Sequence, residues 1–130
     1  MNQELTSLAL VSAFTALMWI PYVLNRIMVG GLSATVGYPT DPITLAPWAQ
    51  RLRAAHLNAV ENLVVFAALL LTAEVAGRGG PAMVLPASLF LWSRIGHAIT
   101  YTLRLPWLRT LAFAGGFVAQ AIVAWELLVR

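Results

Sequence analysis

The chain has 130 residues, of which 60% are hydrophobic and only 10% charged, with a mean hydropathy of +0.79. Soluble domains carry about a quarter charged residues, so eight basic and five acidic side chains cannot cover an ordinary globule of this length. The absence of cysteine excludes disulfide scaffolds and zinc–thiolate sites, the absence of lysine excludes Schiff-base chemistry, and a net charge of +3 scattered through apolar sequence excludes a nucleic-acid surface.

What remains is one all-α integral membrane domain covering residues 1–130. A helix crossing about 30 Å of hydrocarbon needs about 20 apolar residues at 1.5 Å rise each. Residues 5–25 carry no charge and predict a first helix over about 5–28, kinked at Pro21 and ended by Gly30 and Gly31. A longer loop runs to Pro47, which suits a first helical turn because its missing N–H is an orphan there anyway. The second helix, 47–76, is interrupted in its apolar run only by Glu61. Gly77, Gly79 and Gly80 mark a tight turn into a third helix, 81–104, interrupted by Arg94 and predicted to kink at Pro86. Pro106 opens a fourth, 106–129, with Arg109 in its first turn. Trp48 and Trp107 fall where interfacial aromatics belong. The leader before the first helix is not basic and the span exceeds a signal core, so it reads as a membrane span.

Arginine placement predicts orientation. Arg26, Arg51, Arg53, Arg104 and Arg109 flank the first and third loops, whereas only Arg78 and Arg130 flank the other side. The positive-inside rule then puts those two loops in the cytoplasm and both termini outside it. For a bacterial source, the location is the inner membrane.

Ionisable groups inside membrane helices are functional candidates because burying them is costly. Arg94, His97, Tyr101 and Arg104 fall within an arc of about 80° on the third helix. Arg51, Asn58, Glu61 and Asn62 share an arc on the second, with Arg53 and His56 turned away. The pattern predicts a polar cleft between these helices, rimmed by arginine and open near the cytoplasm. Glu61 and Arg94 are equally consistent with a structural ion pair, and the two asparagines with interhelical hydrogen bonds. Two histidines on different faces make a poor metal site, and no metal is expected. Ala112, Gly116 and Ala119 form a small-residue stripe suited to close packing within one subunit or between subunits. Arginines fork carboxylates and Glu61 can receive an ammonium, so a zwitterionic peptide-like ligand fits. A phosphate-bearing lipid headgroup fits nearly as well.

The segment from Arg51 to Asn62, with Ala55-His56, Asn58 and Glu61-Asn62, resembles the second-helix signature of the MAPEG family, the membrane-associated proteins of eicosanoid and glutathione metabolism. Arg94, His97 and Tyr101, followed by Pro106 to Thr110 with Arg109, resemble its third-to-fourth-helix segment, and Pro21-Tyr22 fits the first. The resemblance implies a four-helix bundle assembled as a homotrimer, with glutathione as co-substrate between neighbouring subunits. It implies that Asn58 and Glu61 contact glutathione, that His97 and Tyr101 line the pocket, and that Arg94 supports Glu61. Arg26 matches a first-helix arginine that reaches the tripeptide. Arg109 matches the arginine that stabilises the glutathione thiolate, as a fixed cation beside a thiol does. Ala54 departs from the family, where an arginine is usual, and Arg51 one turn earlier is the candidate to reach down. Phe113 stands where some eicosanoid synthases have tyrosine, which argues against an eicosanoid-specific synthase.

The implied function is a glutathione-dependent transferase or peroxidase acting on lipophilic small molecules from the bilayer. One alternative is a non-catalytic protein of the same fold binding another anionic or lipid ligand. Another is a small four-helix transporter using Glu61, against which the pocket arginines argue for any cationic cargo.

Overall fold

The computed structural model describes residues 1–130 and contains six helices and no strand. The first predicted span is two helices in line, α1 (Gln3–Leu17) and α2 (Trp19–Gly30). A single-turn α3 (Leu32–Val36) follows, then α4 (Pro47–Val75), α5 (Pro81–Thr102) and α6 (Pro106–Leu128). Gln3–Gly30, α4, α5 and α6 are each long and apolar enough to cross a membrane. The chain is therefore an all-helical, four-span integral membrane bundle.

The two internal prolines behave differently. Pro21 lacks the N–H that would reach Leu17 and its ring crowds that carbonyl, so the first span breaks just upstream, at Met18. Pro86 lies inside α5, which runs through it without a break. It lies in the second turn, where only one turn of helix precedes it. The third helix also ends at Thr102, two residues earlier than expected. Gly77 and Gly80, at φ +70° and +111°, supply the left-handed backbone of the turn between α4 and α5.

Scarce polar groups hold the helix ends. Asn25 Oδ1 accepts the Ala46 N–H at the start of α4 (2.9 Å), and Glu4 Oε1 accepts the Gly80 N–H at the start of α5 (2.9 Å). Arg51 Nε donates to the Thr102 carbonyl at the end of α5 (2.9 Å), and Arg78 Nη1 to the Leu127 carbonyl at the end of α6 (2.7 Å). Each satisfies a backbone group that a helix end leaves unpaired.

The apolar core is divided. Near the termini, Phe66 and Phe90 stack with ring centroids 3.9 Å apart, among Leu8, Val11, Met83 and Val123. Toward the α5–α6 connection the core shrinks to Met18, Ala55, Ala59 and Ala98. Small side chains there leave room for polar ones between α4, α5 and α6. The small-residue stripe of α6 serves that packing within the protomer: Ala119 is fully buried, and Gly116 faces the Arg94 side chain.

Candidate functional site

The polar face of α5 is built around Arg94, which is 1% exposed. Its Nη2 donates to Asn58 Oδ1 on α4 and contacts His97 Nδ1 at 3.2 Å. A guanidinium can only donate, so Nδ1 accepts and the imidazole is neutral with its proton on Nε2. Asn58 is tied in turn to Asn62, whose amide donates to the Asn58 carbonyl (2.9 Å), and Gln120 of α6 donates to the carbonyl and side-chain oxygens of Asn62 (3.2 Å each). Gln120 escaped the sequence reading, because one amide on an otherwise apolar helix carries no signal of its own. Arg94 Nε and Nη1 have no partner although both are buried. Such orphaned donors on a buried cation are costly.

The network continues toward the α5–α6 connection through rings. His97 meets Tyr101 edge-on (5.5 Å between centroids) and lies near Phe113 (6.2 Å). The Arg109 guanidinium lies over the Tyr101 ring, 4.8 Å from its centroid, within range of a cation–π contact. Arg94, His97, Tyr101, Arg109 and Asn58 are thus brought together as the sequence led us to expect.

Other expectations fail. Glu61 does not pair with Arg94; the only ion pair in the chain joins Arg130 to Glu126. Asn58 takes the Arg94 guanidinium instead, and Glu61, three residues on and roughly 60° around the helix, is exposed on the protomer surface. Arg104 leaves the polar face, because α5 has ended and its backbone turns to φ +60°. Arg51 caps the end of α5 through Nε on the Thr102 carbonyl, and its terminal nitrogens make no hydrogen bond within the protomer. The expected open cleft between α4 and α5 is packed shut: no cavity of the protomer is lined by Arg94, Asn58, His97 or Tyr101.

Open space lies on the other face of α4. A cavity of about 510 Å³ between α2, the loop after α3 and the start of α4 is lined by Arg26, Arg53, Gln50, Tyr22 and Ala54, among others. Tyr22 OH and His56 Nδ1, 2.7 Å apart, tie α2 to α4 beside it. Arg53 was turned away from the cleft by its helical position; that same position is what aims it into this cavity beside Arg26. His56 ties two helices, and no three His, Asp or Glu side chains of the protomer come together as a metal-binding group.

The structure thus defines a four-span helical membrane protein with arginines buried or half-buried within its spans. The chain belongs to the MAPEG family, whose sequence profile matches residues 8–129. Microsomal glutathione S-transferase 1 of Homo sapiens is 35% identical to it over 80 residues, and that of Bos taurus 38% over 80 residues. Each match covers 61% of this chain and 52% of the relative, about half of that protein's length.

Proposed function

We propose that this protein is a glutathione-dependent membrane transferase or peroxidase for lipophilic electrophiles, assembled as a homotrimer with glutathione between neighbouring protomers. The observation that carries the reading is Arg109, a half-buried guanidinium with no carboxylate partner, held over Tyr101 beside the Arg94–Asn58–His97 network. A cation so placed favours the thiolate of an approaching thiol over the thiol itself.

Glutathione has two carboxylates, an ammonium and a thiol, and supplies the nucleophilic sulfur that this cysteine-free chain lacks. The residues present suit those groups: Arg26 and Arg51 for carboxylates, Asn58 for a peptide amide, Glu61 for the ammonium and Arg109 for the sulfur. Arg94 positions Asn58 and His97. Tyr101 holds Arg109 by its ring.

Within one protomer these groups lie on different faces of α4, which supports a site shared between subunits. An exposed stripe along α4, through Leu57, Val60, Val64, Leu71 and Val75 with Glu61 among them, supports assembly through that helix. An unpartnered carboxylate facing lipid would be costly, and a neighbouring protomer removes that cost. On this reading the α5–α6 connection and the loop after α2 face the cytoplasm, both termini lie outside, and the membrane is the inner one in a bacterium. The test is glutathione titration of the purified protein, followed by thiolate absorbance and by crosslinking for a trimer.

A second reading, binding of another anionic ligand without catalysis, is favoured by Ala54. It places a methyl group in the wall of the arginine cavity where relatives of the family have a guanidinium. Glutathione binding without any thiolate signal is the result that selects it.

A further inference from the structure

The break at Met18 leaves a second opening on the outside of the bundle. A groove of about 400 Å³ runs between the first span and α5, with Met18 and Pro21 on one wall, Ala98, Ile99 and Leu103 on the other, and Leu52 at its α4 side. Its walls offer no free polar group: the hydroxyl of Thr102, which also lines it, is bonded to the Ala98 carbonyl at 2.7 Å. Such a surface inside a membrane span suits a hydrocarbon chain and not water. At the groove's α5 end stand two arginines. Arg51 donates to the carbonyl of Thr102 through Nε alone, leaving its terminal nitrogens without a protein partner. Arg104 follows Leu103 directly, is exposed, and is turned away from α5 by its φ of +60°. Neither has a carboxylate partner.

We propose that this groove seats an acyl chain of an anionic bilayer phospholipid whose headgroup phosphate is held by Arg51 and Arg104. The occupant is a lipid of that charge because the apolar wall ends at Leu103, next in sequence to Arg104, and at Thr102, whose carbonyl Arg51 caps, and neither arginine has a carboxylate partner. Arginines near a bilayer surface attract anionic headgroups, and a guanidinium forks a phosphate bidentately. The site lies on the bundle's surface between the first span and α5, apart from Arg109; it shares Arg51 with the proposed glutathione site, so its test is read at Arg104 and Ile99, which lie outside that site.

The experiment reconstitutes the full chain in nanodiscs of equal parts phosphatidylcholine and phosphatidylglycerol and counts retained lipid by native mass spectrometry. Wild type is expected to retain phosphatidylglycerol in preference to phosphatidylcholine. Arg104→Gln lowers that retention about fivefold, the size of one arginine's attraction to an anionic surface. Ile99→Trp, at an exposed groove wall, lowers it by filling the space, whereas Leu111→Trp on the exposed side of α6 leaves it unchanged. Circular dichroism establishes that each variant keeps its helix; if Ile99→Trp does not, Arg104→Gln decides. Equal retention of the two lipids by wild type, or undiminished phosphatidylglycerol in a folded Ile99→Trp or Arg104→Gln, overturns the proposal.

Discussion

Helix α4 presents polar residues on two faces, and they have opposite fates. Toward α5 and α6, Asn58 and Asn62 enter a closed hydrogen-bonded network with Arg94, His97 and Gln120. Toward α2, Arg53 borders about 510 Å³ of open space shared with Arg26. The closed face is made possible by small residues: Gly115 lies so near Ser93 that an added methyl would sit 2.5 Å from its hydroxyl, and Gly116 faces Arg94. The open face is covered only by α2 and the loop after α3, which leave the cavity between them. On the proposed reading, the open arginine cavity is the half of the site that a neighbouring protomer completes.

Breaking the closed face at its edge has the largest expected effect. Arg109→Ala is expected to lower kcat/KM for glutathione conjugation about 10²–10³-fold, the loss typical of removing one preorganised charge-stabilising group. Its unfolding midpoint should barely move, because the side chain makes no ion pair and lies over the Tyr101 ring at the edge of the network. A fall of both together would make Arg109 a packing residue.

Deeper in the network, Asn58→Ala leaves Arg94 Nη2 with His97 Nδ1 as its one remaining partner. Expected losses are about 2 kcal/mol of stability, in the range for hydrogen bonds to charged groups, and about tenfold in glutathione affinity. Arg94→Met separates structure from function. It removes a buried cation with two orphaned nitrogens but also leaves Asn58 Oδ1 and His97 Nδ1 without that donor, so stability measured by thermal unfolding should fall by no more than about 1 kcal/mol. Glutathione affinity should still fall. If Arg94→Met unfolds the protein, the buried cation is there for the fold alone.

On the open face, Ala54→Arg adds a third guanidinium to the cavity of Arg26 and Arg53. Calorimetry should show glutathione binding about fivefold tighter, as for a partly exposed charge pair. The smallest effect belongs to Tyr22→Phe, which loses the bond to His56 and about 1 kcal/mol of stability. The thiolate signal should be untouched, which would separate the α2–α4 tie from the chemistry.

Much of this was legible in the sequence. Runs of about twenty apolar residues located four spans, because a membrane helix is defined by its own length and composition. The face shared by Arg94, His97 and Tyr101 follows from helical spacing alone. Which partner each polar group takes did not follow. Glu61 and Arg94 look like an ion pair by charge, yet Asn58 intercepts the guanidinium and Glu61 turns outward. Arg51 looked like a ligand contact and also serves as a cap, since the end of α5 depends on how the third helix crosses the second. Arg104 left the polar face because α5 stops at Thr102, and helix ends are set by local backbone choices that periodicity does not reveal. Arg26 and Arg53 share a cavity only through the path of the loop after α3, for which spacing along a helix offers no guide.

Whether Arg109 holds a glutathione thiolate is read by ultraviolet difference absorbance as glutathione is titrated into the reconstituted protein. A thiolate band that saturates in wild type and vanishes in Arg109→Ala is the predicted result. No binding at millimolar glutathione, or a band unchanged in Arg109→Ala, would contradict it.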